Sequence, residues 1–291
     1  MTAPLDTPAP KSVRRDWIPH VVIAIGIFIT AFPLWVAFVA STLSNPEIAQ
    51  APMPLLPGNQ AAANYGEALL QGGRSGRILT PPVWEMMFNS TVMALSIAVG
   101  KIIISILSAY AVVFFRFPFR MAFFWMIFIT LMLPVEVRIV PTIQVITNLN
   151  MMNTYAGLTI PLIASATATL LFRQFFLTIP DELVEAAKID GAGPMKFFRD
   201  VVLPLSVTNI AALFVILFLY GWNQYLWPLL IGTDARMQTI VIGMSKMIDS
   251  AGGPTDWNMV MATAILALLP PVLVVILMQR WFVKGLVETE K

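Results

Sequence analysis

The chain is 291 residues long, 58% hydrophobic and 12% charged, with a mean hydropathy of +0.79. A soluble domain carries about 25% charged residues, so these values exclude a water-soluble surface and make lipid the solvent for much of the chain. The net charge of +2 comes from basic residues flanking apolar runs, not from a nucleic-acid footprint, and with no cysteine and one histidine, His20, there is no basis for a disulfide scaffold, a thiolate nucleophile, a metal site or a His-based triad. In chain order, a Pro-containing tail (1–20) precedes six apolar runs that reach the roughly 20 residues needed to cross about 30 Å of hydrocarbon. These are about 21–43, 86–115, 121–140 (broken at Pro134), 156–177, 205–231 and 259–282. The first outruns the roughly 7–15 residues of a signal-peptide core and reads as a retained anchor.

Basic residues set the orientation. With the N-terminus inside, twelve Lys and Arg fall in inside segments and five outside, with Lys101 within a span. The positive-inside rule then puts both termini, including the 283–291 tail, in the cytoplasm. The outer loop 44–85 is rich in Pro and Gly and reads as irregular or short-helical. Trp17, Trp257 and Trp281 suit an interfacial aromatic belt.

The inside segment 178–204 is too long for a simple connector. Pro180, Asp181 and Glu182 mark a helix start, because proline suits the first turn and carboxylates favour the positive end of the helix dipole. Leu183, Val184, Ala186, Ala187 and Ile189 follow at helical spacing, and Gly191 with Gly193-Pro194 stops the helix. A second short helix from Pro194 carries Phe197 and Phe198 toward the membrane before Leu203-Pro204. On periodicity alone, this helix-turn-helix is equally an amphipathic element lying at the interface.

The wording of the segment is more specific than its periodicity. Glu185-Ala186-Ala187, three residues, Gly191, nine residues, then Val201, one residue and Leu203-Pro204 resembles the EAA signature of binding-protein-dependent ABC importer permeases, with Val201 in place of isoleucine. The runs 114–118 and 221–228 resemble the sugar and sugar-phosphate permeases related to the maltose importer, and 123–138 and 180–187 resemble their sn-glycerol-3-phosphate branch. The resemblance implies an all-α polytopic fold of six transmembrane helices with a cytoplasmic coupling helix-turn-helix, in a bacterial inner membrane. It implies a single permease domain paired with a second, homologous permease subunit. Two ATPase subunits would bind ATP and Mg, and a periplasmic binding protein would deliver a phosphorylated glycerol. Glu185, Ala186, Ala187, Asp190, Gly191, Leu203 and Pro204 would then couple to the ATPase, with Ala186 and Ala187 permitting close approach to its groove.

The chain has no Gly-x-x-x-x-Gly-Lys-Ser/Thr loop to cradle nucleotide phosphates, so hydrolysis is expected in a partner and no catalytic residue in this chain. Lys101 lies about 15 residues from either end of its run, roughly 22 Å and beyond the reach of snorkelling. An ammonium there costs about 2.5–3.5 kcal/mol unless it meets water or a partner. It either lines the translocation path and attracts phosphate, or pairs with carbonyls or a carboxylate of the second permease. Glu136 and Arg138 either pair with each other or guard the outer mouth. Trp222, Asn223, Gln224 and Tyr225 interrupt the fifth span with groups suited to a polyol and are further path candidates. Cargo alternatives are glycerophosphodiesters, a sugar or a polyol. An ion-coupled secondary transporter would want intramembrane carboxylates, which here fall in loops or at span ends.

Overall fold

The computed structural model describes residues 17–72, 74–75, 78–133, 135–248 and 255–287, with side chains throughout except at 74–75, 78–79, 135–136 and 282–287. The expected N-terminal tail therefore lies mostly outside the described residues, as do Pro134, the Glu136 side chain and 288–291. The helices are α1 (Trp17–Ser41), α2 (Asn45–Ile48), α3 (Ala61–Gln71), α4 (Val83–Phe114), α5 (Arg120–Met132), α6 (Val135–Asn148), α7 (Tyr155–Thr159) and α8 (Ala166–Phe176). They continue with α9 (Asp181–Ile189), α10 (Pro194–Phe197), α11 (Leu203–Leu205), α12 (Val207–Trp222), α13 (Leu226–Ile231), α14 (Ile240–Ile248) and α15 (Trp257–Val287). The strands among the described residues are one antiparallel pair of two-residue segments, β1 (Arg74–Ser75) and β2 (Ile78–Leu79), between α3 and α4.

Three single helices, Trp17–Ser41, Val83–Phe114 and Trp257–Trp281, are long and apolar enough to cross a bilayer, and three bent pairs raise the number to six if each is one crossing. The bends have local causes. Between α7 and α8, Pro161 sits in a 3-10 turn and the Ser165 Oγ accepts from Ala168 N to start a new helix, giving a 48° bend. Before α12, a five-residue π turn (Phe198–Val202) and Pro204 precede a 71° bend. The run 205–231 expected as one span is thus interrupted, since α12 ends at Trp222 and Asn223–Gln224 have left the helix before α13 begins. The 121–140 run likewise divides into α5 and α6 and extends to Asn148.

Helix α4 is the central post. It packs against α8 and α12, while α15 joins α12 to α1. Association inside a bilayer gains little from expelling water, so contact depends on close approach through small residues. A Cβ on Gly221 of α12 would lie 2.8 Å from Ala94 Cα, and one on Gly100 of α4 would lie 2.7 Å from Ile163 Cγ2. Phe172, Phe176 and Phe218 fill the space between these helices and are almost completely buried. Asn45 Nδ2 donates to Asp256 Oδ1 (2.8 Å) and Asn258 Nδ2 to Asn64 Oδ1 (3.0 Å), clasping α2 and α3 onto the start of α15.

Gly221→Val should lower the thermal unfolding midpoint of the detergent-purified protein, because overpacking costs about 1–3 kcal/mol. Gly26→Ala, where an added Cβ meets nothing within 4 Å, should leave the midpoint unchanged.

Candidate functional site

The segment between α8 and α12 folds as a hairpin of short helices. Pro180 precedes α9, and Asp181 and Glu182 occupy its first turn. At the other end, Gly191 N donates to Lys188 O and Ala192 N to Ala187 O, with Gly191 at φ +69. Those two bonds form a Schellman cap, which satisfies the last carbonyls and requires a left-handed residue. Space is no constraint on Gly191, since a Cβ there would meet nothing within 4 Å.

One face of α9 belongs to the chain's own core and the other is open. Val184 and Ala187 pack against the core, whereas Glu185, Ala186 and Asp190 are exposed and Ile189 is 86% exposed. Ala187 therefore lies partly against this chain's own core, while Ala186 is exposed. Met195, 70% exposed, adds a second apolar side chain to the tip. Leu203 packs inward and Pro204 is exposed beside the bend. Arg199 Nε lies 2.7 Å from Asp200 Oδ1, a bond that holds the Asp200 carboxyl below the usual carboxylate range. Both side chains are solvated, so the pair contributes little to stability.

The candidate path residues do not share one surface. Lys101, 7% exposed, places its Nζ 3.7 Å from the centroid of the Tyr220 ring on α12. This is cation–π geometry, with the ammonium seated against the negative face of the ring. Arg138 is half-buried on α6. Among the described side chains, no carboxylate forms an ion pair with Lys101 or Arg138. Among the described side chains, the nearly buried ammonium thus meets a ring and no carboxylate, an arrangement suited to an anion.

Trp222 does not join this group. It is 3% exposed and stacks on Phe218 at 5.9 Å, within the core. Asn223 Nδ2 and Gln224 Nε2 donate back to Leu219 O and Tyr220 O, ending α12, and the exposed Tyr225 OH lies 3.5 Å from Ser245 Oγ. The residue that meets Lys101 is instead Tyr220, one turn before Gln224. Its sequence signal was a lone phenol within an apolar span.

The chain matches the family described as "Binding-protein-dependent transport system inner membrane component" over residues 101–288. It is 65% identical over 281 residues to the sn-glycerol-3-phosphate transport system permease protein UgpE of Rhizobium meliloti (strain 1021), covering 97% of this chain and 99% of that one. The protein of that name from Pectobacterium atrosepticum is 62% identical over 276 residues, covering 95% and 97% of the two chains. Among solved structures, a bacterial ABC transporter involved in import of the acidic polysaccharide alginate superposes with a TM-score of 0.77 at 21% identity, covering 95% of this chain and 100% of that one; this likeness speaks to the fold alone.

Tyr220→Leu removes the ring from the Lys101 ammonium and should cost at least about 1 kcal/mol, whereas Tyr220→Phe keeps most of the interaction. Thermal unfolding in detergent should therefore rank wild type and Tyr220→Phe together and Tyr220→Leu below them.

Proposed function

We infer the role of this chain from its family: it belongs to the binding-protein-dependent transport system inner membrane components, and is a multi-pass membrane permease subunit. We propose that its cargo is sn-glycerol 3-phosphate, the compound named for relatives 62–65% identical over nearly the full length. The observation that carries this reading into chemistry is Lys101, whose nearly buried ammonium meets an aromatic face but no carboxylate among the described side chains. A neutral sugar would leave that charge uncompensated, whereas a phosphate would neutralise it within a low-dielectric space.

The remainder of the machine follows from the same reading. Both termini are cytoplasmic, and α9 to α11 form the cytosolic lever. A homologous second permease completes the membrane path, two ATPase subunits bind ATP and Mg, and a periplasmic protein delivers the cargo. This subunit hydrolyses nothing itself. Ile189 and Met195 supply the apolar contact with the ATPase surface, Glu185 and Ala186 lie beside them, and the Gly191 cap holds the hairpin rigid. Nucleotide-driven closure of the ATPase pair moves this hairpin and switches the path from inward-open to outward-open.

In vesicles containing the assembled complex, Lys101→Ala should lower uptake of labelled sn-glycerol 3-phosphate by about tenfold, the effect of losing one interaction of ~1.4 kcal/mol. Unchanged uptake would remove the phosphate assignment. Glu185→Lys and Gly191→Asp should hydrolyse ATP without matching uptake or should retain less ATPase on purification. The second variant adds a left-handed strain of roughly 1–2 kcal/mol and a charge at the tip. Normal coupled transport by both variants would contradict the lever.

A further inference from the structure

Besides its covalent entry from α8 through Leu177–Pro180, the hairpin joins the membrane helices by two routes. One is the covalent chain into α12, which passes through the π turn and the 71° bend at Ser206. The other is lateral and rests on Tyr110, one turn from the inner end of α4. Its hydroxyl donates to Pro194 O at 2.7 Å, and Pro194 opens the second helix of the hairpin. The ring is 7% exposed and lies among aromatic side chains from both elements: Phe114 at 5.2 Å and Phe115 at 5.6 Å on one side, Phe198 at 4.9 Å and Phe197 at 6.5 Å on the other. Phe114 in turn meets Phe197 at 5.3 Å, edge-on.

This packing distinguishes the two routes mechanically. The covalent route runs through a π turn and a 71° bend. The lateral route ends on a continuous helix of 32 residues without proline, roughly 48 Å long. Lys101 lies nine residues further along that helix, roughly 13 Å from Tyr110. We propose that Tyr110 is a positioning residue for transport, its bond to the Pro194 carbonyl fastening the cytosolic hairpin to α4 so that hairpin displacement is delivered along α4 to Lys101. This rests on the reading of the hairpin as the ATPase-driven lever, and it adds the element that receives the force.

Tyr110→Phe is a clean probe. It keeps the ring, and the Pro194 carbonyl still accepts from Phe198 N, so no buried acceptor is orphaned. Because the chain has no cysteine, Ile103→Cys, on the exposed face of α4, gives this chain a single labelling site, and the subunit is labelled before it is assembled with its partners. An environment-sensitive fluorophore at that site, in the complete complex in lipid nanodiscs, reports movement of α4 when ATP, Mg and vanadate are added, whatever the cargo. The expected result is that Tyr110→Phe retains its ATPase subunits and hydrolyses ATP yet loses roughly half or more of the nucleotide-dependent shift. Uptake of sn-glycerol 3-phosphate per ATP hydrolysed should fall in parallel.

A full shift in Tyr110→Phe overturns this proposal and leaves the lever intact. Loss of ATPase subunits from Tyr110→Phe also overturns it, because the hydroxyl would then support assembly instead of transmission. A wild-type label that ignores nucleotide overturns both the link and the lever. A normal shift without uptake of sn-glycerol 3-phosphate overturns only the cargo.

Discussion

Everything in this chain leans on the contact of α4 with α8 and α12. In lipid, two apolar helices gain nothing by hiding from a solvent as apolar as themselves, so they hold together only where their backbones come close. Gly221 against Ala94 and Gly100 against Ile163 provide that closeness, and the rings of Phe172, Phe176 and Phe218 fill the remaining volume. A post fixed in this way can carry a charge in its middle and a load at its end. Lys101 is held against Tyr220 because α4 and α12 are in register, and Tyr110 reaches the hairpin because the end of α4 is held beside α10.

The two ends of the molecule use different chemistry. The 44–85 segment is tied to α15 by amide and carboxylate groups, with Asn64 Nδ2 also donating to Ser41 O and Leu43 O. Those bonds are directional and fix geometry. The end of α4 is tied to the hairpin by aromatic packing around the Tyr110 hydroxyl.

Much of this was legible in the sequence. Long apolar runs located α1, α4 and α15 because length against bilayer thickness is a strong constraint. The hairpin was legible because capping is local chemistry: Pro180, Asp181 and Gly191 stand at the positions where a helix must start and stop. Less was legible where helices are apolar all round, since such a sequence carries no periodic signal for which face is covered. Nothing in the sequence shows that Trp222 stacks on Phe218 in the core, or that Ala187 is half-covered by its own chain while Ala186 is exposed. Tyr220 and Tyr110 went unread because their partners, Lys101 and Pro194, are distant in sequence. The apolar helix α14 went unread because its nine residues are too few to register as a span.

The central claim is that the α9 tip bears on a separate motor. The most direct measurement places a photoreactive group on a cysteine introduced at Ile189, the most exposed apolar residue of that tip, and irradiates the complete complex in a bilayer. The account predicts one dominant adduct, with the ATPase subunit, whose yield changes on nucleotide binding. Adducts formed only with lipid, at a yield indifferent to nucleotide, would contradict it.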